Sequence, residues 1–147
     1  MKRTQPVVKA SEQLKGMING AITRELAASI QYMWQHVQVV GVKGIAVGGK
    51  FKQAAIAEMK HAESLAERLW YLQGTPTTQI LPIKVGESLK EFLELDIKIE
   101  DEGIRDYKKI IEQATKEGDI TTAFMVKEIL EREEEHHDLF TTMLEEV

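Results

Sequence analysis

The chain has 147 residues, a length that suits one domain, and it contains no cysteine. The lack of thiols excludes disulfides, thiolate zinc sites, iron–sulfur clusters and a cysteine nucleophile. A net charge of −5 argues against a nucleic-acid partner, and no apolar run approaches the ~18 residues of a membrane span. No secretory signal core follows the first residues, so we expect one cytoplasmic domain (1–147) behind an N-terminal tail (1–10).

The first predicted helix covers about residues 11–40. Ser11 is a plausible N-cap, and apolar residues recur every four positions at Leu14, Ile18, Ile22, Leu26 and Ile30. A glycine-rich turn is expected at 41–49, followed by a second helix at about 50–73 with Gly74 as its C-cap.

The segment 75–86 contains Pro76 and Pro82, and it is therefore predicted to be a loop rather than a helix. A third helix is expected to start near Glu87 or Ser88 and to end before Gly118, and Asp119 can cap a fourth helix that runs to the C-terminus. The loops thus follow a short, long, short pattern. One long crossover between the second and third helices is typical of the ferritin-like form of the all-α four-helix bundle.

Acidic residues on the apolar face of a helix are costly unless they are paired or bind a metal. Glu58 and His61 lie three residues apart, so both side chains project from one helix face. In the fourth helix two pairs have this spacing. Glu133 with His136 continues an apolar stripe, whereas the neighbours of Glu134 at helical spacing are mostly polar, which favours the Glu133 pair.

One further acid interrupts an apolar stripe in each remaining helix, Glu25 in the first and Glu100 in the third. Glu25 precedes Glu58 by 33 residues, and Glu100 precedes Glu133 by the same 33 residues. The two predicted helix pairs therefore carry one pattern twice. Folding each pair at its short loop places its lone glutamate opposite its Glu-x-x-His pair.

Packing the two pairs together would gather four carboxylates and two imidazoles, the ligand set of di-iron and di-manganese carboxylate bundles. Four carboxylates balance two divalent cations, and oxygen and imidazole ligands suit iron, with manganese as the alternative. A tyrosine follows each lone glutamate by seven residues, which predicts that Tyr32 and Tyr107 flank the site. The predicted ligands are Glu25, Glu58, His61, Glu100, Glu133 and His136.

At these residues the chain resembles the bacterioferritins. The specific stretches are Glu25 with Gln31-Tyr32, the run 58–62 (Glu-Met-Lys-His-Ala), and Glu133 with His136. The resemblance implies that these glutamates and histidines are ferroxidase ligands, with two bridging carboxylates (Glu58 and Glu133) and two terminal ones (Glu25 and Glu100). It also implies that Tyr32 lies beside the metals and that Met59 stands at the position of the haem-ligating methionine. A haem b held by one methionine from each of two subunits implies a dimer.

The chain ends eleven residues after His136, so the bacterioferritin fifth helix is not expected. The resemblance therefore leaves a shell of either 12 or 24 subunits, built from dimers, as the predicted assembly.

The predicted function is oxidation of Fe(II) by dioxygen or hydrogen peroxide, with two iron ions per subunit, for iron storage and protection from oxidative stress. Three alternatives remain at this point. The first is a rubrerythrin-like peroxidase that keeps its iron, although no rubredoxin-type cysteine site exists here. The second is a non-enzymatic shell or interaction protein that holds metal for stability. The third is a di-manganese catalase.

Overall fold

The computed structural model describes residues 7–147, and within that range the chain forms four α-helices. These are α1 (Glu12–Gln38), α2 (Gly41–Tyr71), α3 (Leu89–Lys116) and α4 (Ile120–Glu145). α1 packs mainly on α2, and α3 packs mainly on α4, so the bundle consists of two helical hairpins. This arrangement confirms the predicted all-α bundle with one long crossover. Residues 1–6 of the predicted tail lie outside the described range.

Three helices begin at side-chain N-caps, and two of these caps, Ser11 and Asp119, are the ones that the sequence indicates. The side chains of Ser11, Ser88 and Asp119 each accept a hydrogen bond from the backbone N–H three residues further on, at 3.0, 3.2 and 3.0 Å. Each cap satisfies one N–H that has no partner within its own helix.

The crossover between α2 and α3 runs along α1. Asn19 donates to the backbone carbonyl of Thr75 and accepts from the N–H of Thr77, at 3.0 and 2.8 Å. Thr23 donates to the carbonyl of Gln79 at 3.2 Å. Further along, Gln35 donates to the carbonyl of Val85, so the connection runs beside α1 from Asn19 to Gln35. None of the helices in the described range is long and apolar enough to cross a membrane.

The predicted turn at 41–49 is wrong, because this glycine-rich segment forms the first turns of α2. Only Val39 and Val40 separate α1 from α2, and the chain reverses at Gly41 with φ +76°. A Cβ atom at Gly44 would lie 2.9 Å from the backbone carbonyl carbon of Val39, and one at Gly48 would lie 3.0 Å from its side chain. These two glycines therefore permit close packing in the tight turn rather than breaking the helix.

The end of α2 also differs from the prediction. Gln73, not Gly74, has the left-handed conformation (φ +70°). The N–H of Gly74 donates to the Leu69 carbonyl at 2.8 Å, and the N–H of Gln73 donates to the Trp70 carbonyl at 3.1 Å, which is the Schellman pattern. Gly74 is needed because a Cβ there would fall 2.2 Å from the Leu69 side chain.

The core consists of two apolar clusters that lie toward opposite ends of the bundle. One contains Leu14, Ile18, Leu65, Leu69, Ile110 and Val126, among others. The other contains the aromatic side chains of Tyr32, Phe51, Phe92 and Phe140. In every helix the predicted metal ligands fall between residues of one cluster and residues of the other. The apolar clusters thus enclose a polar layer at mid-bundle.

The glycine-rich start of α2 offers a paired test. We expect Gly44→Ala to destabilise the fold by about 1–3 kcal/mol, because the added methyl overlaps the backbone of Val39. Gly49→Ala meets nothing within 4 Å, and it should stabilise the helix by up to about 1 kcal/mol. Urea unfolding of the two variants measures both effects. Equal and stabilising effects of both substitutions would show that close packing at Gly44 is not the reason for its presence.

Candidate metal centre

The fold brings all six predicted ligands together, from all four helices. Their oxygen and nitrogen atoms form two groups, within each of which the atoms lie within 4.8 Å of one another. Glu58 and Glu133 belong to both groups. The first group is completed by Glu25 and His61, and the second is completed by Glu100 and His136. Two adjacent cation positions that share two carboxylates fit this arrangement.

The four carboxylates of the centre are almost completely buried, with 0–2% of each residue exposed. His61 Nδ1 lies 3.2 Å from Glu58 Oε2 and 3.1 Å from Glu133 Oε1. His136 Nδ1 lies 2.5 Å from Glu58 Oε1 and 3.5 Å from Glu100 Oε1. Both imidazoles therefore face carboxylates on other helices, and His61 also faces a carboxylate on its own helix.

The structure separates the two Glu-x-x-His registers of α4. Glu133 is buried among the other ligands, whereas Glu134 is exposed. His137 points away from the centre and pairs with Asp101 at 3.0 Å. The apolar stripe that favoured Glu133 over Glu134 in the sequence therefore corresponds to the buried face of α4.

Two buried tyrosines connect the hairpins across the centre. Tyr32 on α1 donates its hydroxyl hydrogen to Glu100 Oε1 at 2.6 Å, and Tyr107 on α3 donates to Glu25 Oε1 at 2.5 Å. Burial, together with the nearby carboxylates, raises the pKa of both tyrosines well above the ordinary value. Both phenols therefore remain protonated donors, and each orients one terminal carboxylate.

Sequence reasoning missed Arg24, which lies in the same layer and is only 3% exposed. Its Nη1 donates to Asp106 Oδ2 at 2.7 Å, and its Nη2 lies 3.9 Å from Glu25 Oε1. The guanidinium also stacks over the Tyr107 ring, with Cζ 4.8 Å from the ring centroid. The sequence signal that could have indicated a buried Arg24 is Gly103, a glycine in the middle of α3. A Cβ at this position would lie 3.1 Å from Arg24 Nε.

Sequence reasoning also missed Asp96, which lies one turn before Glu100 and is completely buried. Its Oδ1 accepts hydrogen bonds from Gln31 and Gln35 at 2.9 and 2.8 Å. Burial raises the pKa of Asp96 to about 7, although the two amide donors act in the opposite direction. Gln35 also donates to the Val85 carbonyl at 3.0 Å, so this network ties the crossover to the core.

Burial of several carboxylates at one place changes their proton affinities strongly. Burial, with the charges of neighbouring carboxylates, raises the pKa of Glu58 and of Glu133 well above the ordinary value. Burial also raises the pKa of Glu100, to about 7, against the opposing effects of the neighbouring Glu133 and of the hydrogen bond that Tyr32 donates. For Glu25 the burial effect is outweighed by the close approach of Glu58 and His61 and by the Arg24 charge, which lower its pKa to about 2.

The two histidines differ in their proton affinity. Burial would lower the pKa of His61, but its contacts with Glu133 and Glu25 raise it to about 9. Burial lowers the pKa of His136 below its ordinary value. Without metal, the centre therefore keeps protons on several acids and on His61, and these protons compensate part of the repulsion between the carboxylates.

The unpartnered polar atoms at this centre fit a metal site. Glu25 Oε2, Glu58 Oε1, Glu100 Oε2 and His136 Nδ1 are buried and have no hydrogen-bond partner. The close approach of Glu58 Oε1 and His136 Nδ1 does not have hydrogen-bond geometry either. Buried atoms that lack partners are expensive, and cations that bind these lone pairs would remove that cost.

Met59, the predicted haem-ligating residue, lies on α2 next to Glu58 but on the outer surface. Its side chain is 44% exposed. Large exposed apolar side chains also occur on both helices of this hairpin, at Met33, Trp34, Ile56 and Met59.

Residues 16–147 match the Ferritin family model, which describes a ferritin-like domain. The bacterioferritin of Brucella melitensis is 32% identical over 140 residues, which cover 94% of this chain and 86% of the relative. The bacterioferritin of Desulfovibrio desulfuricans is 36% identical over 121 residues, which cover 82% of this chain and 68% of the relative. These matches confirm the resemblance that the motifs indicated.

Solved structures give the same result. The crystal structure of Desulfovibrio desulfuricans bacterioferritin, which describes its diiron site in different catalytic states, superposes with a TM-score of 0.85 at 32% identity. It covers 90% of this chain and 78% of the other. A ferritin-like, diiron-carboxylate protein from Bacillus anthracis gives a TM-score of 0.88 at 28% identity, over 92% of this chain and 99% of the other. The fold is therefore the ferritin-like bundle.

The raised pKa values predict how the stability of the metal-free protein depends on pH. Protons bind the folded chain more tightly than the unfolded chain at Glu58, Glu100 and Glu133. The stability that they contribute is complete below about pH 4.5 and is lost as pH rises through the folded pKa values. The contribution of His61 is lost in the same direction, between about pH 6.5 and 9.

We therefore expect Tm of the chelator-treated protein to fall by at least about 5 °C between pH 6 and pH 9. The lowered pKa of Glu25 has the opposite sign, but it acts only below about pH 4.5. Differential scanning calorimetry across this range is the measurement. A Tm that is constant or rises toward pH 9 would contradict the conclusion that the metal-free centre binds protons more tightly than the unfolded chain does.

Proposed function

This chain belongs to the ferritin family, and from that premise we propose that it is a ferroxidase that binds and oxidises two Fe(II) ions within each subunit. The observation that carries the proposal is the pair of buried ligand groups that share Glu58 and Glu133. The iron ions are the substrate of this reaction. Iron storage and protection from oxidative stress are the proposed use of the activity.

In this proposal each iron ion has its own terminal ligands. Glu25 and His61 hold one ion, Glu100 and His136 hold the other, and the shared carboxylates bridge them. Two divalent ions balance four carboxylates once the protons of the centre have been released. The carboxylates supply hard oxygen ligands, which suit Fe(II) and Fe(III), and the absence of cysteine from the sequence fits this preference.

The reaction balances without a further reductant. Each Fe(II) loses one electron, and the two electrons with two protons convert dioxygen to hydrogen peroxide. With hydrogen peroxide as the oxidant, the same two electrons and two protons give two waters. Tyr32 and Tyr107 hold the terminal carboxylates through hydrogen bonds, and this keeps both glutamates aimed at the iron positions.

We further propose that the protein acts in the cytoplasm as a shell built from dimers. The exposed apolar residues of α1 and α2, which include Trp34 and Met59, support contact with a second copy of the chain. Met59 is also the residue through which two subunits would hold a haem b. Size-exclusion chromatography with a visible spectrum tests both parts, and a colourless protein from haem-replete cells would contradict the haem.

Glu133 and Glu134 provide a matched test of the ferroxidase proposal, since they are neighbours and only Glu133 is buried. Anaerobic Fe(II) titration of the metal-free protein should saturate near two ions per chain in the wild type and in Glu134→Gln. Glu133→Gln should lose at least one binding step, because a bridging carboxylate is gone. After mixing with oxygen or peroxide, Glu133→Gln should oxidise Fe(II) about 100-fold or more slowly than the wild type. Stopped-flow absorbance measures this rate.

Two results would contradict the proposal. They are the absence of stoichiometric Fe(II) binding in the wild type, and an equal oxidation rate in Glu133→Gln and Glu134→Gln. Two measurements distinguish a storage ferroxidase from a rubrerythrin-like peroxidase. They are which oxidant reacts faster, and whether the iron leaves the centre after oxidation. Iron that stays at two per chain through repeated peroxide turnover would favour the peroxidase.

A further inference from the structure

The metal centre is an internal repeat. Each predicted ligand of the first hairpin, and its tyrosine, has a counterpart of the same residue type 75 residues further along the chain. The two halves of the centre therefore have equivalent ligands. The pairs are Glu25 with Glu100, Tyr32 with Tyr107, Glu58 with Glu133, and His61 with His136.

Arg24 breaks this equivalence. The counterpart of Arg24 is Ile99, an apolar residue that packs against the aromatic cluster. The counterpart of Gly103, which leaves room for the guanidinium, is Ala28. One half of the centre therefore has a cation beside its terminal glutamate, and the other half has a hydrocarbon side chain at the equivalent position.

The guanidinium lies beside the terminal glutamate of only one half. Arg24 Nη2 lies 3.9 Å from Glu25 Oε1, and it is buried without a hydrogen-bond partner. A Cβ at Gly103 would lie 3.1 Å from Arg24 Nε and 3.4 Å from Glu133 Oε2, so the guanidinium passes close to the bridging Glu133 as well. The charge is thus directed at the position that Glu25 and His61 complete.

Asp106 does not cancel this charge at the centre. Its side chain is 51% exposed, so water screens its carboxylate, whereas the Arg24 side chain is 4% exposed. The other half has an acid rather than a cation in its neighbourhood, since Asp96 lies one turn before Glu100 with its Oδ2 buried and unpartnered. The local charge therefore differs between the two halves, because a buried cation lies beside the terminal glutamate of the first half.

We propose that Arg24 makes the two metal positions unequal, so that a divalent cation binds first at the Glu100–His136 position and more weakly at the Glu25–His61 position. This inference rests on the proposed two-ion site. A fixed positive charge a few ångströms from a divalent cation in a poorly solvated layer opposes binding strongly. Ligands of the same type in both halves would otherwise give similar affinities. Arg24 is a positioning residue here, because it acts through the charge that it adds and does not bind the metal.

The test is an anaerobic Co(II) titration of the metal-free protein, followed by visible absorption and calorimetry. The wild type should bind two ions in two resolved steps, with affinities that differ about tenfold or more. In Arg24→Met the weaker step should strengthen by about tenfold, so that the two steps merge. Arg24→Lys keeps the charge and should keep two steps.

Arg132→Met is the matched control. Arg132 precedes Glu133 as Arg24 precedes Glu25, but its side chain is 61% exposed and pairs with Glu135 at the surface. Removing this screened charge should leave both steps unchanged. An equal effect of Arg132→Met and Arg24→Met would overturn the inference, because it would reflect total charge rather than the buried guanidinium.

Two ligand variants decide the order of binding without any change at Arg24. Glu25→Ala should keep the tight step and lose the weak one, and Glu100→Ala should keep only a weak step. The reverse assignment, or two equal steps in the wild type that Arg24→Met does not alter, would overturn the inference and leave the proposed ferroxidase intact. A wild type that binds fewer than two Co(II) ions would instead contradict the two-ion site itself.

Discussion

The structure depends on one electrostatic constraint, which is the burial of four carboxylates at the middle of a four-helix bundle. Carboxylates that are almost fully excluded from water repel one another and lose their hydration, and each effect opposes the ionised state. The apolar clusters on either side supply the stability that this layer lacks. The fold thus holds a site whose full ionisation requires cations, and this requirement links the stability of the bundle to its proposed function.

The groups around the carboxylates respond to the same constraint. Each tyrosine donates to a terminal glutamate on a helix of the other hairpin, so the orientation of the ligands depends on the packing of the two hairpins. The carboxylates also differ in their affinity for protons, because the pKa of Glu25 is lowered whereas the pKa values of Glu58 and Glu133 are raised. Arg24 and Asp96 then lie beside different halves, so the surroundings of the two halves differ although the predicted ligands repeat.

Much of the fold followed from local sequence signals, and the errors have a common cause. The N-caps at Ser11 and Asp119 were predicted because capping requires only a side chain that hydrogen-bonds three residues away. The helical segment at 41–49 was not predictable from glycine content. Gly44 and Gly48 are tolerated within α2 because each sits against Val39, a contact that exists only once the hairpin has formed.

The sequence by itself determined the residue types of the predicted ligands, their helix faces and their repeat. A helix of fixed pitch places residues three or four apart on one side, so an acid within an apolar stripe must point into the core. The family resemblance, not the spacing, implied that Glu58 and Glu133 are shared between the two groups. Tertiary structure alone decided that Arg24 and Asp96 join the layer. Arg24 is adjacent to Glu25 and should face another direction on an isolated helix. Its long side chain reaches the centre because Gly103 on a different helix leaves the space, and helical periodicity within one segment carries no information about that contact.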